Sequence, residues 1–324
     1  MTIDTEEEWD WKGPWPVDGY TVENIQRLPA FQSLCARHGV ATTYFVDKAV
    51  VDDDAARETV MALSREPGVE IGMHIHPWNT PPLDTRGAVR ARDTFLHNLP
   101  EPSINAKLDC VLGALRGCGF RPVSFRGGRY SSGGAIHRFL RDQDFLVDAS
   151  VVPFTTWEDE GAPTYVDRGL DPVRLPPDRA GQKPLWEIPL TLAFTRKPFA
   201  FWKHLYEFIE RSFMGKLHLI GILERLAVVR KVWLNFEEPL GKHMLSLLET
   251  LRPLGLPCIC FTVHSSSLMA GKSPYTRTRE DERRLFDQVD EVFATLAGWH
   301  DFRSATLADV AAQLEQDFHA RSRD

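Results

Sequence analysis

Val69-Glu70-Ile71-Gly72-Met73-His74-Ile75-His76-Pro77-Trp78 decides how the rest of the chain is read. Pro67-Gly68 makes a turn before it, the run from Val69 is apolar enough for a buried strand, and Pro77 stops it. Successive side chains on an extended backbone alternate faces, so His74 and His76 point the same way. Two neutral imidazoles converging at a strand end form a natural chelate for a metal ion. A pair of solvated histidines has the same spacing, so spacing alone does not choose between the two.

Outward from this strand the pattern repeats. Upstream, Met1-Thr2-Ile3-Asp4 reads as a strand running into the acidic, tryptophan-rich Thr5-Glu6-Glu7-Glu8-Trp9-Asp10-Trp11. Asp4 and Glu6 share a face on an extended backbone, although such a run is ordinarily a solvated acidic segment. A helix fits from Pro29 to His38, ended by Gly39, and Val40–Val46 is a β-branched, aromatic strand. Asp52, Asp53 and Asp54 favour the start of the next helix. Downstream, Ser103 is expected to cap a helix with Ile104, Leu108, Val111, Leu112 and Leu115 on one face. Strands follow at Pro122–Arg126, Phe145–Ser150, Leu185–Pro189, Val232–Phe236 and Cys258–Val263. Helices are expected around Ile136–Leu140, at Lys242–Leu251 and at Arg279–Leu296, with Thr306 and Asp309 offering a cap for a last one. Residues 152–183 read as a long loop, and Phe199–Val229 as a broken helical hairpin whose aromatics serve internal packing. Strands alternating with helices predict a parallel sheet covered by helices, within one domain over residues 1–324 carrying an inserted loop and helical segment at about 152–230.

Composition narrows the function. The 324 residues are 43% hydrophobic and 26% charged, as in ordinary globular proteins. A formal net charge of -7 argues against nucleic-acid binding, which needs a basic face. No uncharged apolar run reaches the length of a membrane span. The five cysteines form no zinc-type or redox spacing and read as reduced, mostly buried thiols. Met1-Thr2-Ile3-Asp4 carries no signal-peptide pattern, so a cytoplasmic location is expected.

In parallel α/β sheets functional side chains gather at the carboxyl ends of the strands. That rule collects Asp4, Glu6, His74, His76, Arg126, Asp148 and His264. Thr2-Ile3-Asp4-Thr5-Glu6, Glu70-Ile71-Gly72-Met73-His74, Phe125-Arg126-Gly127-Gly128-Arg129-Tyr130, Val147-Asp148-Ala149-Ser150 and Val263-His264-Ser265-Ser266 then stand in the order of a known motif series. In this the chain resembles the polysaccharide deacetylases, the NodB-homology carbohydrate esterases, over Met1 to about Tyr275. His74–Pro82 and His264–Leu268 look most like the lipopolysaccharide-biosynthesis branch typified by WalW. The resemblance implies a distorted (β/α)7-type barrel and a metal-dependent hydrolase removing the N-acetyl group of an amino sugar in a glycan.

It also implies roles. Glu6, His74 and His76 would hold a divalent metal, zinc for preference. Asp4 would be the general base, paired with Arg126, and His264 the acid, oriented by Asp148. A backbone N–H near Tyr130 would help bind the oxyanion. Trp9, Trp11, Trp78 and Tyr130 would contact the sugar, although packing explains each as readily. Three features depart from the family pattern. Its adjacent aspartates are spread into Asp4 and Glu6. Trp78 stands where its second metal histidine is usual, so His76 must substitute. Gly128-Arg129-Tyr130 replaces its proline-aromatic arginine motif. Two other functions fit the same residues, a metal-dependent amidohydrolase acting on a small cyclic amide and a non-catalytic glycan-binding protein.

Overall fold

The computed structural model describes residues 1–83, 89–157, 160–196, 199–211, 231–237 and 241–321. Its first strand, β1 (Thr2–Thr5), is buried along its whole length and pairs in parallel with a strand on each side. The strands that follow are β2 (Thr42–Val46), β3 (Val69–Ile75), β4 (Ser124–Gly127), β5 (Val147–Asp148), β6 (Val173–Leu175), β7 (Leu185–Glu187), β8 (Leu192–Phe194), β9 (Lys231–Trp233) and β10 (Thr262–His264). Among the described residues they form a curled sheet in the order β10-β1-β2-β3-β4-β5-β7-β6, parallel except for the antiparallel edge strand β6. β8 and β9 pair antiparallel, and a single parallel bridge, Asn235 to Thr262, laces them to β10. The curled sheet so made is a half-barrel covered by helices, the parallel α/β arrangement that the alternation predicted and of the barrel type that the resemblance implied.

Register explains why the site assembles. Asp4 lies beside His264 on β10, and His74 beside Arg126 on β4. Parallel strands in step carry their terminal side chains to one rim of the sheet.

The covering helices are α1 (Leu28–Arg37), α2 (Lys48–Asp52), α3 (Asp54–Leu63), α4 (Glu101–Gly117), α5 (Gly134–Asp142), α6 (Phe199–Arg211), α7 (Gly241–Leu251), α8 (Arg279–Ala297) and α9 (Leu307–Arg321). The five apolar residues expected along one face of α4 are all buried. Its start differs from expectation: Glu101 opens the helix after Pro100, with Pro102 in the first turn, so Ser103 lies inside and is not the cap. Proline needs no N–H partner there, and its fixed φ suits the first turn. Asp53 caps α3 through Ala56 N–H. Thr278 and Asp281 make a capping box on α8. At the start of α9, Thr306 Oγ1 accepts from Asp309 N–H, and Asp309 accepts in return from Thr306 N–H.

Further differences lie between residues 152 and 236. The expected loop contains β6, and β8 falls where no strand was expected. The hairpin expected over Phe199–Val229 is seen as α6 only to Arg211; Phe213 and the side chain of Tyr206 lie outside the described residues. Among the described residues no helix is long and apolar enough to cross a membrane. Of the cysteines only Cys35 and Cys260 are buried; Cys110, Cys118 and Cys258 are half-buried, and none is paired.

Candidate metal centre

Glu6, one residue beyond β1, and His74 and His76, at the end of β3, meet below a cavity of about 320 Å³. Glu6 Oε2 is 3.1 Å from His74 Nε2 and 3.2 Å from His76 Nε2, and the two Nε2 atoms are 3.3 Å apart. Each imidazole is anchored from behind. His74 Nδ1–H donates to the Arg126 carbonyl at 2.8 Å, and His76 Nδ1–H donates to the Glu7 carboxylate at 2.8 Å. With both Nδ1 atoms committed as donors, each neutral ring turns the lone pair of Nε2 inward. Three electron-rich atoms facing one point require a proton or a metal cation between them.

The spacing suits a cation. Zinc bound tetrahedrally at about 2.0–2.1 Å places neighbouring donor atoms roughly 3.3 Å apart. The nitrogen and oxygen set is one that zinc accepts, and the tight packing of Gly128 keeps it in place: a Cβ there would come within 2.4 Å of His76 Cδ2. Without a cation, a proton takes its place on the triangle. Burial raises the Glu6 pKa, but the charges of His76 and His264 and hydrogen bonds from His74 and His76 outweigh it, holding the carboxyl well below its usual range. Burial lowers the His76 pKa, yet Glu7 and Glu6 carry it well above the ordinary imidazole value.

A second group shares the rim. Arg126, fully buried, donates from Nη1 to Asp4 Oδ1 at 2.6 Å and to Thr262 Oγ1, from Nη2 to Thr2 Oγ1, and from Nε to the Ala149 carbonyl. Every donor that fixes the guanidinium thereby fixes the Asp4 carboxylate. The other oxygen of Asp4 lies 3.7 Å from His264 Nε2. His264 Nδ1–H donates at 2.8 Å to Glu237, which also accepts from Asn235 and Ser267. Burial works against the charged imidazole, but Glu237 first, then Glu6 and Asp4, push the His264 pKa up to about 10.

Sequence reasoning gave the orienting role to Asp148, and the contacts correct it. Asp148 is buried on β5, where it accepts from Ser132, Ser150 and His137. It lies outside the cavity lining, and Glu237 occupies the place behind His264. Glu237 was legible in principle as an acid just past the Val232–Phe236 strand. Glu7 and Asp47 were also missed, Glu7 because it stood within an acidic run and Asp47 although it directly follows β2.

Trp9, Trp11, Trp78 and Tyr130 all line the cavity, joined by Trp15, Trp157 and Trp233. Trp78 stacks on His76 with centroids 4.1 Å apart, and Trp11 meets His264 edge-on at 5.0 Å. Tyr130 stacks on Trp157, and both it and Arg129 hold left-handed backbone, with φ of 60° and 51°. Two such residues in succession beside a site are a strained arrangement that only close surrounding packing sustains.

No protein-family model and no curated protein matches the sequence. In three dimensions the chain is similar to a candidate polysaccharide deacetylase from Mycobacterium smegmatis, with a TM-score of 0.54 and 16% identity, over 91% of this chain and 77% of that one. It is also similar to 4-alpha-glucanotransferase from Thermococcus litoralis, with a TM-score of 0.53 and 10% identity, over 96% of this chain and 39% of that one. The likeness is one of fold. Because the two neighbours are named for different reactions, the chemistry must be argued from the side chains.

Proposed function

We propose that this protein is a metal-dependent deacetylase that hydrolyses the N-acetyl group of an amino sugar within a glycan. The observation that carries the reading is the Glu6, His74 and His76 donor triangle, flanked on one cavity by the Asp4–Arg126 and His264–Glu237 pairs. The M. smegmatis fold neighbour, through its name, supports the same reading. Glu6, His74 and His76 would hold a divalent cation, zinc for preference, which would supply Lewis acidity and lower the pKa of a bound water towards roughly 7.

The chain's own groups divide the remaining work. Asp4, held by Arg126, accepts the proton of the attacking water through the oxygen that faces the cavity. His264, kept protonated by Glu237, donates to the departing amine nitrogen, which cannot leave as an anion. The acceptor and the donor stand on neighbouring strands in register, so one carbonyl carbon lies within reach of both. The backbone N–H of Tyr130 assists the oxyanion. The tryptophan walls offer faces for pyranose rings and keep bulk water from the charged groups.

Acetate release from N-acetylhexosamine oligomers and from nucleotide-linked and lipid-linked N-acetyl sugars, set against ring opening of small cyclic amides, tests the reading. Chelator-sensitive release from a sugar, lost in Asp4→Asn and His264→Ala, is expected. Turnover of the cyclic amides alone, or glycan binding without turnover, overturns it.

A further inference from the structure

Behind His76, on the side away from the cavity, lie two carboxyl groups that the reaction above does not use. Glu7 is fully buried, and both its oxygens lie against His76 Nδ1, at 2.8 and 3.0 Å. Asp47 is 1% exposed and packs against Glu7 at the carboxyl end of β2. Its Oδ1 accepts from Val50 N–H at 3.0 Å, capping α2. Its Oδ2 is buried and has no donor facing it. Two ionised carboxylates cannot stay in contact without water or a counter-charge, whereas one shared proton satisfies both. With that proton on Asp47 Oδ2, Asp47 donates to Glu7, and Glu7 accepts from both Asp47 and His76. No buried polar atom of the trio is then left over.

We propose that Glu7, backed by Asp47 as a neutral acid, is a positioning residue that locks His76 in the Nδ1–H tautomer and turns its Nε2 lone pair to the cation. The inference rests on the metal-site reading above but concerns residues outside the donor triangle. A carboxylate behind a ligating histidine fixes the ring and raises its basicity, and losing it weakens metal binding about 10–100-fold. The alternative use of the same atoms, a second cation held by Glu7, Asp47 and His76 Nδ1, makes a different prediction about stoichiometry.

The test is zinc affinity and stoichiometry, by competition with a chromophoric chelator, on the full chain and its Glu7→Gln, Asp47→Asn and His74→Ala variants. The proposal expects one zinc per chain, about 10–100-fold weaker binding in Glu7→Gln, and binding within about threefold of the parent in Asp47→Asn. Asparagine can still accept from Val50 and donate to Glu7, so it stands in for the protonated acid. Unchanged affinity in Glu7→Gln overturns the positioning role. Two zinc ions per chain, with one lost in both Glu7→Gln and Asp47→Asn, overturns it in favour of a second cation. No zinc bound by the parent, or binding indifferent to His74→Ala, sinks the metal-site reading itself. A measurement independent of variant folding is the 15N histidine spectrum of the parent. A proton on His76 Nδ1 is expected, and a proton on Nε2 in the zinc-loaded chain overturns the proposal.

Discussion

In the proposed reaction, Glu237 is the group that keeps the donor, His264, protonated. Its charge is the largest influence raising the His264 pKa against the cost of burial. Glu237→Gln keeps the shape and an acceptor oxygen but removes that charge, so His264 loses its proton at a lower pH. The alkaline limb of kcat/KM for acetate release should therefore move down by about one unit or more. A bound cation would also repel the imidazolium, so His264 in the loaded enzyme would lose its proton at a lower pH than in the bare site, in both proteins. Asp148→Asn should leave the limb in place, because that carboxylate bonds His137 and not His264. Gly128 offers a second test. An added Cβ meets both His76 Cδ2 and the Ile75 carbonyl at 2.4 Å, so Gly128→Ala must displace the ligand or the strand. About 1–3 kcal/mol of destabilisation is expected by urea denaturation, with zinc affinity reduced. At this scale the strand-end rule was enough to find Asp4, Glu6, His74, His76, Arg126 and His264, because parallel register turns sequence position into spatial position. It did not reach Trp15, Trp157 and Trp233, whose place on the cavity depends on how loops and the β8–β9 pair fold back, and no periodicity encodes that.

Between the ligand strand and α4 runs the segment that carries Trp78, and one lysine ties it down. Lys107, 6% exposed on α4, donates to the carbonyls of Pro77, Thr80 and Pro82 at 2.7, 2.6 and 2.8 Å. Lys107→Met keeps the apolar stem and strands those acceptors. A loss of about 2 kcal/mol or more is expected in chemical denaturation, with faster protease cleavage between Trp78 and Leu83. An unchanged denaturation midpoint would remove the lysine as the tie. Element boundaries were less legible than element order. Phe145–Ser150 reads as six residues of strand, yet only Val147–Asp148 are ladder residues. The flanking bonds persist, Leu146 N–H to the Val123 carbonyl and Ala149 N–H to the Phe125 carbonyl, so the extended backbone outlasts the regular pairing. β6 escaped notice because a three-residue edge strand with Val173 39% exposed has no room to display an alternation. The capping signal at Thr306 and Asp309 was readable because its two bonds are local in sequence.

For the molecule as a whole, a ligand that binds only the folded chain stabilises it by mass action. Zinc at a hundred times its Kd adds about 2.7 kcal/mol, which should raise Tm by a few degrees. Calorimetry of the chelator-stripped chain with and without zinc checks this, and His74→Ala should show no rise. An equal rise in the variant would place the bound ion elsewhere. The parallel sheet was legible because strand and helix alternate from β1 through α5, and that order leaves few topologies open; its curl into a barrel type came from the motif resemblance. The closing segment was not, since β8 and β9 run antiparallel to each other and carry no crossover pattern. That closing segment has a mechanical implication. β1, β2 and β3 are laced by runs of four and five residue pairs, while the segment just past β9 meets β10 through one bridge, Asn235 to Thr262, with backbone bonds from Phe236 N–H to the Thr262 carbonyl and from Thr262 N–H to the Leu234 carbonyl. Glu237 stands on one side of this seam and His264 on the other, so a short stitch runs past the donor of the proposed reaction and leaves Glu6, His74 and His76 beside longer ladders. Amide protons of Phe236 and Thr262, which bond across the seam, should then exchange with deuterium well before those of Tyr44 and Ile71, and breathing at the seam would move His264 without disturbing the proposed cation site.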